Sequence, residues 1–190
     1  MQEDQPHRAG PRLRLHPARP GDAPELARMS RDLIEDGLLW SWRPRRLATL
    51  ISDPEVVVLV ARRDDPTAGR GVPPPVGGFA AMSFRESRAH LILMAVDPPL
   101  RRAGIATALY EWLEASGLHA GIREFTLEVR KGNTGARRFY GARGFHVTDE
   151  IPGYYQGVEA AVRMRKRHLP PPRARTGTPG LCFPLDRDGE

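Results

Sequence analysis

Apolar residues in the first half of the chain follow two different spacings. The segment "LRLHPAR" at 13–19 predicts a first strand, and the β-branched run "EVVVLVARR" at 55–63 predicts another, because β-branched side chains favour a pleated surface. Between these runs apolar residues recur at the helical period, and Asp22 precedes them as a candidate N-cap. The residues expected to face the core from this helix are Leu26, Met29, Leu33 and Ile34. A second short helix is predicted over "RRLATLIS".

The middle of the chain predicts a loop and then a pair of strands. Proline and glycine dominate 64–78, a composition typical of a loop. A third strand at about Val76–Arg85 and a fourth at 90–96 are expected to pair through the polar turn "ESRA". The first half of the chain is therefore predicted to be rich in strands.

From residue 97 onwards helices and strands are predicted to alternate. A helix that ends near Gly117 should bury one stripe of side chains, namely Ile105, Ala108, Leu109, Trp112 and Leu113. The segment 124–130 alternates as a strand does, with Phe125, Leu127 and Val129 on one face. Asn133 can cap a further helix whose inner face carries Ala136, Phe139 and Tyr140, and Gly144 ends it. Strands are predicted from "FHVTDEI" and over 159–167.

Length and composition indicate one domain of ordinary size, large enough to bury its own core. We expect a loose arm at 1–11, the domain at 12–168, and a disordered Pro- and Arg-rich tail at 169–190. The single cysteine, Cys182, excludes an intrachain disulfide and favours a reducing setting. Neither a long apolar run nor the apolar core of a signal peptide is present, so we expect a cytoplasmic protein without a membrane segment.

The net charge of +6 favours anionic partners without choosing among them. One candidate partner is RNA or the ribosome, bound weakly by charge through the basic C-terminal segment. The stretch "DPPLRRAGIATALY", Asp97 to Tyr110, is a second candidate site at which an anion could bind. Small residues and two arginines stand where a helix begins, and free N–H groups there can bind a phosphate. The alternative is a tight turn that needs Gly104, with two solvated arginines.

Two segments in this half carry a family resemblance. "LILMAVDPPLRRAGIATALYEWLE" resembles the acetyl-coenzyme A motif of the GNAT N-acetyltransferase superfamily, a strand followed by [Q/R]-x-x-G-x-[G/A] and a helix. A later segment, 127–145, is similar to the superfamily pattern N-x-x-A-x-x-x-Y-x-x-x-G-F. The matching residues are Asn133, Ala136, Tyr140, Gly144 and Phe145. The resemblance runs from about Leu13 to Arg167 and is specific from His90 onward.

The resemblance implies an α/β GNAT fold and acetyl-CoA as co-substrate. The expected sheet is mixed, mostly antiparallel and six- or seven-stranded, with helices on both faces and a V-shaped split between strands 4 and 5. Backbone groups at 101–106 would hold the pyrophosphate, and the free edge of strand 4 would pair with the pantetheine arm. The implied cofactor-binding residues are Met94, Ala95, Val96, Arg101, Arg102, Ala103, Gly104, Ile105, Ala106, Thr107 and Asn133.

The resemblance also implies catalytic roles for two residues. Tyr140 matches the position that commonly protonates the leaving sulfur, and a phenol with a pKa of about 10 suits that role. Glu128 lies in an "LEVR" segment like that of ribosomal-protein-alanine N-acetyltransferases, where a glutamate acts as general base through water. The alternatives are a half-buried helix tyrosine and an ordinary strand carboxylate. The six histidines lack metal-ligand spacing, so no metal is expected.

The acceptor amine is the least constrained part of the prediction. "IPGYYQGVEAAVRM" resembles the segment of protein N-terminal acetyltransferases in which tyrosines line the peptide groove, here Tyr154 and Tyr155. Trp40 and Trp42 are candidates for the other wall, or cover the core beneath their loop. The leading hypothesis is acetylation of a peptide or protein N-terminus by a monomer or homodimer. The alternatives are acetylation of a small amine and a non-catalytic acyl-CoA sensor.

Overall fold

The computed structural model describes residues 13–63 and 74–169. The predicted arm, most of the predicted loop at 64–78 and the tail from residue 170 lie outside the described residues. The seven strands are β1 (Leu13–Pro17), β2 (Val56–Arg63), β3 (Val76–Arg85), β4 (Arg88–Val96), β5 (Glu124–Arg130), β6 (His146–Tyr155) and β7 (Glu159–Arg167). The four α-helices are α1 (Ala23–Leu33), α2 (Pro44–Ile51), α3 (Ile105–His119) and α4 (Thr134–Gly141). Short 3-10 turns at Pro20–Asp22 and Pro98–Leu100 precede α1 and α3.

The strands form one mixed sheet in the order β1-β2-β3-β4-β5-β7-β6. Only β4 and β5 run parallel, and every other neighbouring pair is antiparallel. A parallel pair needs a crossover connection, and α3 supplies it. The predicted α/β fold with a mostly antiparallel mixed sheet is therefore confirmed.

Each face of the sheet buries its own apolar cluster. On one face α3 and α4 pack through residues such as Leu109, Leu113 and Tyr140. On the other face α1 and α2 pack through Leu26 and Leu47. The predicted helices on both faces are confirmed, and the helices α1 and α2 lie over the first half of the sheet.

A β-bulge in β4 separates this strand from β5. Met82 pairs with Leu91 and Ala81 pairs with Leu93, so Ile92 is an extra residue without a partner in β3. The ladder between β4 and β5 ends at the pair Leu91 and Leu127. Beyond the bulge, β4 continues to Val96 with its β5 side unpaired. The predicted split between strands 4 and 5 is confirmed, and the bulge is its local cause.

Two sequence-based expectations are wrong in detail. The predicted turn "ESRA" is shorter, because β4 begins at Arg88 and not at His90, whereas β3 ends at Arg85 as predicted. The stripe predicted for α3 included Ala108 and Trp112, which are both exposed, whereas Tyr110 and Gly117 are buried. Apolar residues occur on most sides of this helix, so spacing alone could not identify the inner face. The helix ends at His119, two residues beyond the predicted end near Gly117.

Candidate active site

The split between β4 and β5 opens into a cavity of about 680 Å³. Its walls come from β4, β5, the start of α4, the loop between α1 and α2, and the turn between β6 and β7. Seven of the predicted site residues line this cavity: Trp42, Met94, Glu128, Asn133, Tyr140, Tyr154 and Tyr155. Residues from both halves of the chain therefore meet at one place. We call the loop 34–43 the acceptor loop and the turn 156–158 the hairpin turn.

The other predicted cofactor residues lie at the N-terminal end of α3. Gly104 has φ +81° and Arg102 has φ 68°, so the turn before the helix uses two left-handed residues. Gly104 is the N-cap residue, and neither it nor an acidic side chain caps the first turn. The amide N–H groups of that turn can therefore bind an anion. Arg101 Nε donates to Val96 O at 3.3 Å, which ties the turn to the end of β4.

Small residues allow β3 to approach this turn closely. A Cβ atom at Gly78 would lie 2.8 Å from Ile105 Cγ2, and one at Gly77 would lie 2.7 Å from Leu100 Cδ1. Larger residues there would force these side chains to shift, and at Gly78 the added Cβ atom would also lie 3.1 Å from Ala95 O. The Thr107 hydroxyl accepts a hydrogen bond from Arg143, so this side chain already has a partner. The position of the α3 terminus beside the open edge of β4 thus depends on Gly77 and Gly78.

Helix α4 begins after Asn133, as predicted, but it ends at Gly141, three residues before the predicted end at Gly144, where φ is +86°. Asn133 Oδ1 accepts a hydrogen bond from Ala136 N at 3.0 Å, so the predicted cap is confirmed. Tyr140 is buried, and its ring packs edge-on against Phe139 and Phe145 at centroid distances of 5.2 and 5.7 Å. Burial raises the pKa of Tyr140 above its ordinary value. Its hydroxyl group therefore keeps its proton at neutral pH, and Tyr140 is among the residues that line the cavity.

Glu128 lines the cavity from β5, and its side chain is 10% exposed. Arg163 Nε donates to Glu128 Oε1 at 2.8 Å, and His90 Nε2 lies 3.2 Å from Oε2. Burial alone would raise the pKa of Glu128, but the contacts with His90 and Arg163 outweigh it and lower the pKa to about 2. Glu128 is therefore ionised at neutral pH and is a weak base.

His90 is a cavity residue that the sequence did not single out. It lies on β4 beside β5, in register with Thr126, and His90 Nδ1 is 3.0 Å from Thr126 Oγ1. The Thr126 hydroxyl in turn donates to Ala89 O at 3.3 Å. Both nitrogens of the imidazole thus have partners, and one of these partners is Glu128. Only the register between β4 and β5 places His90 and Glu128 on the same face, which no local pattern reveals.

Glu35 organises the acceptor loop and was also missed. This buried carboxylate accepts hydrogen bonds from Ser41 N at 2.8 Å, from the Ser41 hydroxyl at 2.5 Å and from Trp42 N at 3.1 Å. Its Oε2 also lies 3.4 Å from Ser30 Oγ. The carboxylate replaces the hydrogen bonds that the irregular backbone of the loop lacks. It therefore fixes the path of the loop along the cavity.

The acceptor loop is joined to the hairpin turn by one side chain. Gln156 Oε1 accepts from Leu39 N at 2.8 Å, and Gln156 Nε2 donates to Leu39 O at 2.7 Å, across 117 residues of sequence. The amide of Gln156 thus pairs with the backbone of Leu39 as a neighbouring strand would. We call this pair of hydrogen bonds the clasp. It connects two walls of the cavity.

The two predicted tyrosines lie beside the clasp. Their rings meet edge-on with centroids 5.0 Å apart, and the Arg130 guanidinium lies 5.7 Å from the Tyr155 ring. Burial raises the pKa of Tyr155 to about 12. The pKa of Tyr154 is raised as well, by burial and by the charge of Glu128. Both hydroxyl groups are therefore protonated at neutral pH and can donate hydrogen bonds to an acceptor molecule.

The two tryptophans have different surroundings. Trp42 lines the cavity, and the Arg46 guanidinium stacks 3.8 Å from its ring centroid. Trp40 lies behind it, between Arg31 at 5.5 Å and Arg43 at 5.0 Å, and Trp40 Nε1 donates to Trp42 O at 3.0 Å. Trp40 is not among the residues that line the cavity. Its contacts support Trp42 from outside.

A second cleft of about 500 Å³ continues from the cavity along the same face of the sheet. The two spaces share His90 and Glu128. Arg88, Glu124, Arg163 and Arg165 are among its other lining residues, so this face is polar and charged. Across the described ranges 13–63 and 74–169, no cluster of three His, Cys, Asp or Glu side chains suits a metal ion, and no helix has the length and apolar character to cross a membrane.

Comparison with known proteins adds a family match. The model of the acetyltransferase (GNAT) family matches residues 25–145. An uncharacterized N-acetyltransferase from Methanocaldococcus jannaschii, MJ1530, is 37% identical over 93 residues, which are 48% of this chain and 60% of the relative. N-alpha-acetyltransferase 20 of Dictyostelium discoideum is 38% identical over 78 residues, which are 40% of this chain and 45% of the relative. The chain thus spans between about half and three fifths of the length of these curated relatives.

A solved structure supports the fold over a longer range. The ribosomal-protein-S18-alanine N-acetyltransferase from Escherichia coli superposes with a TM-score of 0.68 at 21% identity. The match covers 86% of this chain and 99% of that structure. At this identity the likeness concerns the fold. It extends the similarity beyond the segment that the family model covers.

Proposed function

Because the chain belongs to the acetyltransferase (GNAT) family, we propose that it transfers an acetyl group from acetyl-CoA to the N-terminal α-amine of a peptide or protein. The relatives that it matches are named as N-acetyltransferases, and one of them as an N-alpha-acetyltransferase. The proposal therefore concerns the co-substrate, the acceptor and the residues that act on them.

The clasp is the observation that carries the choice of acceptor. Gln156 joins the hairpin turn to Leu39 of the acceptor loop at 2.7 and 2.8 Å, so two walls of the cavity are held together beside the tyrosine pair. An extended chain end can enter such a bounded space, and its backbone amides can bind the hydroxyl groups of Tyr154 and Tyr155. A lysine on a folded surface would have to bring its own neighbouring backbone past the clasp.

The basicity of the site supports the same choice. With a pKa of about 2, Glu128 cannot hold the proton of a strongly basic amine. A terminal α-amine has a pKa of about 8 and a lysine amine about 10.4, so the terminal amine is more readily neutral. We assign to Glu128 the attraction of the incoming ammonium group and the removal of its proton through water. His90 contacts the same carboxylate, with Nε2 at 3.2 Å from Oε2, and helps to hold it in place.

Acetyl-CoA fits the other half of the site. The uncapped first turn of α3, with Gly104 in the left-handed region, suits the pyrophosphate. The unpaired side of β4 at Met94 to Val96 suits the pantetheine arm, whose amides can pair with it as a strand would. Asn133 borders the same space at the start of α4. Of the other predicted cofactor-binding residues, Ala95 and Val96 lie at the end of β4, and the residues from Arg101 to Thr107 lie in the turn before α3 and in its first turn.

The transfer itself needs few groups. The neutral amine attacks the thioester carbonyl carbon, and a backbone N–H near Met94 to Val96 stabilises the oxyanion. The carbon–sulfur bond then breaks, and the sulfur takes a proton from the Tyr140 hydroxyl. The amine proton leaves through water toward Glu128, and the Tyr140 phenolate regains a proton from water, which restores the starting state. This sequence consumes one acetyl-CoA and one amine, and it yields an amide and free coenzyme A.

The test measures free-thiol release from acetyl-CoA with purified protein. We expect turnover of peptides with a free N-terminus and none with the same peptides blocked at the α-amine. A panel of polyamines, amino acids and aminoglycosides tests the small-amine alternative. Turnover of the small amines alone contradicts the proposed acceptor. Binding of acetyl-CoA without turnover of either panel contradicts the proposed activity and supports the alternative of a non-catalytic acyl-CoA sensor.

Three sequence-based expectations stand beside this proposal as predictions. They are the cytoplasmic location, the monomeric or homodimeric state, and the weak association of the basic C-terminal segment with RNA or ribosomes. Salt dependence of binding to ribosomes measures the last of these, since phosphate contacts weaken steeply with salt.

A further inference from the structure

Arg46 differs from the other charged residues of the cavity in that its charge has no partner among the described residues. The carboxylate of Glu35 is bound by the acceptor loop, that of Glu128 by Arg163, and that of Glu159 by Arg130 at 3.4 Å. Arg130 also donates to Asp36 O at 2.7 Å. Within the part of the chain that the structure describes, Arg46 has neither an ion pair nor a side-chain hydrogen bond, and its recorded contact is the stack on Trp42.

The stack holds the guanidinium in place without using its hydrogen-bond donors. Arg46 Cζ lies 3.8 Å from the Trp42 ring centroid, and Trp42 is itself held by Glu35 and Trp40. A guanidinium that stacks through its face keeps its N–H groups free at its edges. These donors match the two oxygens of a carboxylate. The side chain is therefore prepared for an anion in the cavity where the acceptor binds.

The stability of α2 does not account for this arginine. Arg43, Arg45 and Arg46 occupy the N-terminal end of an eight-residue helix whose first turn contains no acidic residue. Positive charges at that end oppose the helix dipole and cost stability. Local features that conflict with folding are expected where a site has a function. Of the three arginines, Arg46 is the one that lines the cavity.

We propose that Arg46 binds a carboxylate of the acceptor and thereby selects acceptors that carry an acidic group close to the reacting amine. This inference rests on the proposed function and adds a substrate class to it. The carboxylate comes either from an acidic side chain near a peptide N-terminus or from the α-carboxylate of a free amino acid. Polyamines, whose other charges are all positive, are selected against.

The experiment compares acceptors that differ only in this group. Thiol release is measured for C-terminally amidated peptides that begin with alanine and carry Glu, Gln or Lys at position two or three. A second arm compares alanine with alaninamide. We expect kcat/KM to be about fivefold higher for the acceptor with the carboxylate than for its neutral counterpart. The preference should shrink as salt is added.

Two charge reversals separate Arg46 from the general charge of the helix. Arg46→Glu is expected to abolish the preference for Glu and to favour the Lys peptide. Arg45→Glu changes the net charge equally, but Arg45 does not line the cavity, so this variant should keep the preference. Arg46→Gln removes the charge with a smaller change in packing, and it should make the Glu and Gln peptides equal.

The outcomes distinguish this inference from the proposed function. Peptide turnover with equal rates for Glu and Gln, and alanine equal to alaninamide, overturns the inference and leaves the proposed function standing. Equal losses of preference in Arg45→Glu and Arg46→Glu also overturn it. If free alanine is acetylated and the peptides are not, the proposed peptide acceptor is overturned. A preference for alanine over alaninamide that Arg46→Gln removes would in that case still support the carboxylate site.

Discussion

Replacement of Glu128 by glutamine should destabilise the protein at neutral pH and lose this effect in acid. The carboxylate has its pKa lowered from 4.5 to about 2, because hydrogen bonds from His90 and Arg163 outweigh the effect of burial. A shift of one pKa unit corresponds to about 1.4 kcal/mol, so the ionised carboxylate stabilises the folded state by about 3 kcal/mol. Glutamine keeps the shape of the side chain and removes the charge.

The sign of the pH dependence follows from the lowered pKa. A carboxyl group with a lower pKa in the folded state contributes its full stability above its unfolded pKa. That contribution is lost as the pH falls through the folded pKa. The difference between wild type and Glu128→Gln should therefore be constant above about pH 5 and should decline between pH 4.5 and about 2. Urea unfolding followed by circular dichroism at several pH values measures it.

Glu55 provides a matched control on the surface. Its carboxylate is 2.8 Å from Arg85 Nε, the same distance as between Glu128 and Arg163, but both partners are largely exposed. An exposed pair contributes about 0–1 kcal/mol, so Glu55→Gln should have a small effect at every pH. If Glu128→Gln lost as little stability as Glu55→Gln, or if its loss were the same at pH 3 as at pH 7, the lowered pKa of Glu128 would be refuted.

Three further substitutions test other parts of the site. Tyr140→Phe should lower kcat about 100-fold with little change in the KM for acetyl-CoA, because a proton donor is lost. Tyr110→Phe is its control, since the Tyr110 hydroxyl does not line the cavity and donates to Glu114 Oε1 at a distance of 2.6 Å. Equal kcat values for the two variants would contradict the role of Tyr140. Gly104→Ala should cost about 1–2 kcal/mol of stability in thermal unfolding, because a residue other than glycine is strained at φ +81°. An unchanged Tm would argue against the left-handed turn. Glu35→Ala should raise the KM for the peptide several-fold, because the acceptor loop loses three hydrogen bonds, and it should leave the KM for acetyl-CoA unchanged. Asp36 is an exposed neighbour, so Asp36→Ala should change neither KM.

The segments that we propose to bind the cofactor could be recognised in the sequence because their residues are adjacent along the chain. Gly104 and its neighbours form one continuous turn, and Asn133 caps the helix that begins at the next residue. Such local features produce a recognisable pattern in adjacent residues. The inner face of α3 was predicted less well, since Trp112 and Ala108 are as apolar as the residues that face the core.

The acceptor half depends on contacts between distant segments. Gln156 meets Leu39 across 117 residues, and neither residue type indicates such a pairing. His90 reaches Glu128 because of the register between β4 and β5, which ends at the bulge around Ile92. Glu35 lies in a loop without periodicity and reveals its role only through its hydrogen bonds. Sequence patterns therefore indicated the turn before α3 and the cap of α4 better than they indicated the walls of the cavity.

The weak base and the choice of amine follow from the same energetics. A proton moved from an α-ammonium with a pKa of about 8 to a carboxyl with a pKa of about 2 goes uphill by about 8 kcal/mol. From a lysine ammonium the same transfer costs about 11 kcal/mol. At pH 7 about a tenth of the terminal amines are already neutral, compared with fewer than about one lysine in a thousand. The low pKa of Glu128, which the contacts with His90 and Arg163 cause, raises both costs equally, so the difference of about 3 kcal/mol comes from the amines themselves. Acceptors that arrive neutral need no such transfer, which supports the terminal amine as the proposed acceptor.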